Sequence, residues 1–172
     1  FLAEALYNTG PGFDSDTEQF LIDDKIYVFD YTAFYIYDLS NGLSMTNYTL
    51  SSGTAGKRGT LYNGKPYVLS WNYKNNSYTF YFHMVDGTTA TALSTANLTE
   101  PGKLFTYNNY IWLIPGVSSN GNVCRYDVST NTWTKLSVTT PFYAPGFNGT
   151  RWTVWNGKAY IYERTGNGTA AW

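Results

Sequence analysis

Few residues in this chain are of the types that carry out chemistry, and their spacing gives them little to work with. His83 is the one histidine and Cys124 the one cysteine among 172 residues. A lone cysteine forms no intramolecular disulfide, and one His with one Cys cannot complete a zinc site. Cys124 lies between Val123 and Arg125 in a strand-like run and reads as a small packed hydrophobe. The cationic neighbour Arg125 alternates to the opposite face, where it cannot activate the thiol. His83, within Tyr78-Thr79-Phe80-Tyr81-Phe82-His83-Met84, reads as structural or exposed rather than catalytic, and no Ser-His-Asp arrangement can be assigned. The densest acidic cluster is Asp14-x-Asp16-x-Glu18 followed by Asp23-Asp24. Alternating carboxylates offer oxygen ligands to Ca²⁺, but the Gly and distal Glu of a calcium loop are missing. The cluster therefore reads as a solvated loop, and neither a metal nor any other cofactor is expected.

Two further sets of residues point to recognition rather than turnover. Trp71, Tyr73, Trp112 and Trp152 lie on strands or strand ends among Asn and Thr, a mixture of flat apolar faces and hydrogen-bonding groups that suits sugar stacking. Packing in the core is the competing reading for each of them. Five Asn-x-Ser/Thr sequons, at Asn47, Asn75, Asn97, Asn148 and Asn167, fall near expected turns or strand ends, where a glycan could project.

The composition narrows the rest. Charged residues make up 13% of the chain, against about 25% in an ordinary globular domain. In their place stand 17 Tyr, 10 Phe and 6 Trp. A net charge of −1 leaves no basic excess to neutralise phosphates, so nucleic acid is not an expected partner. No run of about 18 apolar residues is present, so no membrane span is expected. A chain that opens on Phe1 reads as a processed mature chain or an excised piece. The length fits a single domain, 1–172, large enough to bury a real core.

The elements that must position these residues repeat four times. Asp24-Lys25-Ile26-Tyr27-Val28-Phe29, Gly64-Lys65-Pro66-Tyr67-Val68-Leu69, Asn109-Tyr110-Ile111-Trp112-Leu113-Ile114 and Gly157-Lys158-Ala159-Tyr160-Ile161-Tyr162 each read as a turn feeding a strand. Successive segments are 40, 45 and 48 residues apart, within the range of about 40–50 residues for one four-stranded propeller blade. Another short strand precedes each segment, opened by Pro11-Gly12, Gly56-Lys57, Pro101-Gly102 or Pro145-Gly146. A third strand follows, clearest in 34–38 and 123–127, and a fourth in 132–136 and 45–50. No stretch sustains a 3.6-residue apolar period, so almost no helix is expected. The expected fold is all-β, a four-bladed β-propeller with repeats near 10–50, 56–96, 101–140, and 145–172 plus 1–6.

At Val123-Cys124-Arg125-Tyr126-Asp127-Val128-Ser129-Thr130-Asn131-Thr132-Trp133-Thr134-Lys135-Leu136 the chain resembles the second half of a kelch repeat: a strand, Tyr-Asp, a turn, then Asn-x-Trp and a Leu. The Gly-Lys-x-Tyr segments resemble the strand before it. The positions of that family's Gly-Gly pair here read Phe29-Asp30, Leu69-Ser70, Ile114-Pro115 and Tyr162-Glu163. The resemblance implies a kelch-like propeller. Two propeller enzyme classes lack their parts here. Sialidases need an arginine triad and Asp boxes, but the arginines are only Arg58, Arg125, Arg151 and Arg164 and no Asp box occurs. Kelch-type copper oxidases need more than one His. Sequence does not decide whether two carboxylates lie at the separation glycoside hydrolysis requires.

The last repeat stops after its third strand, while Phe1-Leu2-Ala3-Glu4-Ala5-Leu6 precedes the first repeat in the register of an outer strand. That segment could close the chain's own ring or insert into a neighbour's blade, or the chain could be part of a larger ring. The composition resembles that of phage fibres and archaeal surface proteins. The expected function is a non-catalytic, extracellular structural or adhesion module of a surface filament or virus particle, partnered by itself or by an assembly protein. A carbohydrate-binding propeller lectin is the alternative.

Overall fold

Pairs of Asn, Asp and Gly set the hairpins of this chain. The computed structural model describes residues 17–30, 33–50, 56–116, 121–139, 151–156, 158–165 and 168–171. Both residues of Asn63-Gly64, Asn75-Asn76 and Asn108-Asn109 have positive φ, from 49° to 73°. A type I′ turn needs that left-handed conformation at both central positions, and its twist matches the strands it joins. Asn reaches it through local hydrogen bonding by its short amide, and Gly64 has no Cβ to oppose it. In Gly87-Thr88 only Gly87 is left-handed, at φ 56°, the type II′ pattern.

The β-branched and aromatic runs between these turns form antiparallel meanders. The first sheet holds β1 (Glu18–Ile22), β2 (Lys25–Asp30), β3 (Ala33–Asp38) and β4 (Ser44–Thr49) in that order. The second holds β5 (Gly56–Tyr62), β6 (Lys65–Lys74), β7 (Ser77–Asp86) and β8 (Thr89–Leu93). The third holds β9 (Gly102–Tyr107), β10 (Tyr110–Pro115), β11 (Asn122–Asp127) and β12 (Thr132–Thr139). In the fourth, β13 (Arg151–Trp155), β14 (Lys158–Thr165) and β15 (Gly168–Ala171) make three strands. The described residues contain no helix, so the all-β expectation holds, and the four expected segments are the second strands β2, β6, β10 and β14. The first strand of the first repeat begins at Glu18. The turn at Pro11-Gly12, the segment Phe1–Leu6, and Pro145-Gly146 lie outside the described residues.

The chain divides into two compact units, residues 1–75 with 79–92 and residues 76–78 with 93–172. In the first unit one core face joins Tyr27, Phe29, Phe34 and Ile36 to Val68 and Val85. Each strand of the first sheet supplies one ring to a continuous aromatic row. Phe20 meets Phe29 edge-on at 5.9 Å, Phe29 stacks on Phe34 at 5.6 Å, and Phe34 stacks on Tyr48 at 4.9 Å. Such pairs contribute about 0.5–1.5 kcal/mol each beyond the area they bury. Ile26, Val28 and Tyr37 form a second cluster, so β2 reads as an uninterrupted apolar run rather than an alternating one. The outer strand β4 is exposed except at the half-buried Tyr48.

Two turns use the same side-chain chemistry. In Tyr37-Asp38-Leu39-Ser40 the Ser40 hydroxyl and amide donate to Asp38 Oδ1 at 2.6 and 3.0 Å. In Tyr126-Asp127-Val128-Ser129 the corresponding bonds of Ser129 to Asp127 Oδ1 are 2.6 and 2.8 Å. In both, the serine hydroxyl is the main force holding the aspartate carboxyl below its ordinary value of 3.8. A depressed carboxyl contributes stability that is present above the unfolded-state value and is lost as pH falls through the folded-state value. Acid unfolding below that ordinary value is therefore expected to be steeper for the natural chain than for the Asp38→Asn, Asp127→Asn double variant. Asn still accepts the turn bonds but no longer titrates. Thermal midpoints measured against pH check this, and parallel curves would remove the two turns from the acid response.

Candidate functional site

The residues with chemical potential are mostly consumed by the fold. Cys124 is buried, its Sγ lies 3.6 Å from the Asn122 carbonyl oxygen, and burial pushes the thiol's pKa up. A thiol so held is not a nucleophile at neutral pH. His83 is 6% exposed on β7, its Nδ1 has no hydrogen-bond partner among the described residues, and burial lowers its pKa, which keeps the imidazole neutral. No group of three or more His, Cys, Asp or Glu among the described residues is placed to hold a metal ion. Asp14 and Asp16 lie outside those residues.

The aromatic candidates separate. Trp71 is buried on β6, its indole against Gly56, with the Arg58 guanidinium 6.0 Å from the ring centroid. A ring so nearly buried cannot also take a sugar, so the stacking role expected for Trp71 falls to its core role. Trp112 is half-buried on β10; Phe105 stacks on it at 6.4 Å and its Nε1 donates to the Tyr107 carbonyl at 2.9 Å. Tyr73, near the end of β6, is 55% exposed. Trp152 pairs with Ile161 in the β13–β14 ladder, and its side chain lies outside the described residues. Trp155, next along β13, is 68% exposed.

The sequons also differ. Asn47 is exposed on β4, and Asn75 is exposed in the left-handed β6–β7 turn. The Asn97 side chain is already engaged, its Nδ2 donating to the Trp133 carbonyl at 2.9 Å. Asn148 and Asn167 lie outside the described residues.

A site that single-sequence reading missed lies in the first unit. The β2–β3–β4 register places side chains on one face in three rows: Lys25-Asp38-Ser44, Tyr27-Ile36-Thr46 and Phe29-Phe34-Tyr48. The aromatic row joins the core, while the polar row ends at the turns. Between them opens a pocket of about 300 Å³, lined by Lys25, Tyr27, Asp38, Thr46 and Tyr48, with Asn41, Ser44 and the Gly87-Thr88 turn at its sides. An adjoining hollow of about 260 Å³ shares Lys25, Tyr27 and Asp38 and adds Asp23, Asp24 and Ser40. Burial is the main cause that raises the Tyr27 phenol's pKa, with Asp86 and Asp23 adding to it, so its hydroxyl stays protonated. The polar residues at 25, 38, 44 and 46 are visible in sequence. Their convergence is not, because it depends on strand register and on the lengths of two turns.

Fold and site define the chain as an all-β protein of repeated antiparallel meanders with a polar, aromatic-floored pocket. No protein-family model matches it, and no curated protein resembles it significantly in sequence.

Proposed function

We propose that this chain is a non-catalytic structural or adhesion module of an extracellular surface filament or virus particle, built as a four-bladed kelch-like propeller and completed by strand addition. The observation that carries the reading is the fourth sheet. In the other three sheets the third strand is paired on both sides, whereas among the described residues β15 pairs with β14 alone. An unpaired edge is a template for one more strand. Phe1–Leu6 has the length and apolar character for that place, in its own chain or in a second copy. The buried neutral His83 and the buried Cys124 further support recognition over turnover.

Light scattering on the intact chain and on a variant lacking residues 1–8 tests this. A polymer that falls to single subunits on truncation is expected if the strand joins neighbours. A monomer whose thermal midpoint drops is expected if it closes its own ring. Unchanged mass together with unchanged midpoint would overturn strand addition. A second reading, carbohydrate binding, is favoured by the exposure of Tyr73 and Trp155. Binding on a glycan array supports it, and an array on which no glycan is retained sinks it.

A further inference from the structure

We infer that the pocket on the first sheet is a binding site for a neutral sugar, one pyranose unit in size. The inference rests on the second, carbohydrate-binding reading and assigns it a place that none of the sequence's aromatic candidates occupies. At about 300 Å³ the pocket lies at the small end of the range for ligand sites, roughly 300–1,000 Å³, as suits a monosaccharide unit rather than a larger ligand. Its lining alternates the two kinds of surface a sugar presents. The floor is aromatic: Tyr27 is buried, and Tyr48 stacks on Phe34 at 4.9 Å and so is held rigid. A fixed ring receives the C–H face of a pyranose at little entropic cost.

The rim supplies convergent hydrogen-bonding groups. Asp38 accepts, the Lys25 ammonium donates, and Thr46 and Asn41 do both. The Ser40 bonds to Asp38 Oδ1, at 2.6 and 3.0 Å, orient that carboxylate before any ligand arrives. Charge sets the class of ligand. Within the pocket, Lys25 balances Asp38. On the far side, Lys65 neutralises Asp86 at 2.5 Å, next to the Gly87-Thr88 turn. Asp23 and Asp24 line the adjoining hollow and repel anions. Phosphate, sulfate and acidic sugars are therefore disfavoured, and an uncharged polyol is accepted.

The test titrates the full-length chain with the methyl glycosides of glucose, galactose, mannose and N-acetylglucosamine, and with that of sialic acid. Ligand-observed saturation-transfer NMR serves as the readout. At least one neutral glycoside is expected to bind in the millimolar range, with no signal from sialoside. Lys25→Met and Thr46→Val, both at exposed positions, should each weaken binding roughly tenfold by leaving sugar hydroxyls unpaired. Asn41→Ala serves as a third variant should either fail to fold, judged by thermal midpoint. Met45→Ala, exposed on β4 but outside the pocket lining, should bind as the natural chain does. The pocket is overturned if no neutral glycoside binds, if the three pocket variants bind unchanged, or if sialoside binds as tightly. Array binding that is lost in Tyr73→Ala or Trp155→Ala but kept in the pocket variants would sink the pocket and leave the carbohydrate reading standing.

Discussion

Trp133→Ala is expected to cost about 3–5 kcal/mol, the range for removing a fully buried large aromatic. Trp133 is 1% exposed on β12, packs against the Tyr126 ring at 5.0 Å, and donates from Nε1 to the Ser94 carbonyl at 3.0 Å. The same few residues tie the strand to the segment before β9. The Asn131 side-chain oxygen accepts from the Ser94 amide at 2.9 Å and from the Tyr126 hydroxyl at 2.7 Å, and Asn97 donates to the Trp133 carbonyl. Truncation would thus leave a cavity and also strip the Ser94 carbonyl of its donor, so the two losses fall together. For a chain of this length the midpoint should fall by roughly 10 °C, read by near-ultraviolet circular dichroism. Trp133→Phe, which keeps a ring but loses the N–H, should fall between the two. An unchanged midpoint in Trp133→Ala would mean that β12 is not in the register described.

The second large effect is expected at Gly102, the β9 residue paired with Pro115 of β10. A Cβ there would sit 2.0 Å from the Ile114 carbonyl oxygen and 2.8 Å from the Pro115 Cα. Both obstacles are backbone, so no side chain can turn aside, and the strands must separate. Gly102→Ala is therefore expected to lose about 3 kcal/mol, the upper part of the usual overpacking range. The same place explains how β10 tolerates Pro115. The proline faces Gly102 on the β9 side and lies beyond the last β10–β11 partners, Leu113 and Cys124, where no ladder donor is required. Thermal unfolding of Gly102→Ala checks the prediction, and a midpoint equal to that of the natural chain would refute the close approach of the two strands.

Much of the fold was legible because its signals are local. A left-handed Asn or Asn-Gly pair between β-branched and aromatic runs specifies a hairpin whatever surrounds it, and the Asn63-Gly64 and Asn108-Asn109 turns fall where the pattern puts them. The Tyr126-Asp127 and Asn131-x-Trp133 spacing likewise brings its own partners together, since Tyr126 and Trp133 are cross-strand neighbours. The aromatic site candidates were not legible in the same way. Trp71 and Tyr73 are two residues apart on one strand, yet one is 4% and the other 55% exposed. Both are large aromatics with a polar group; what differs in place is that β5 lies beside Trp71, pairing it with Gly56, the first residue of that strand.

The sequence by itself determined the second strand of each sheet, the turns that lead into those strands, the all-β class and the retirement of Cys124 into the interior, because alternation and turn chemistry act over a few residues. Only the tertiary structure decided which aromatics are buried, and that Lys25, Asp38, Asn41 and Thr46 line one pocket with Tyr27 and Tyr48. Those choices depend on strand register and on which faces meet, and burial is conferred by neighbours distant in the chain.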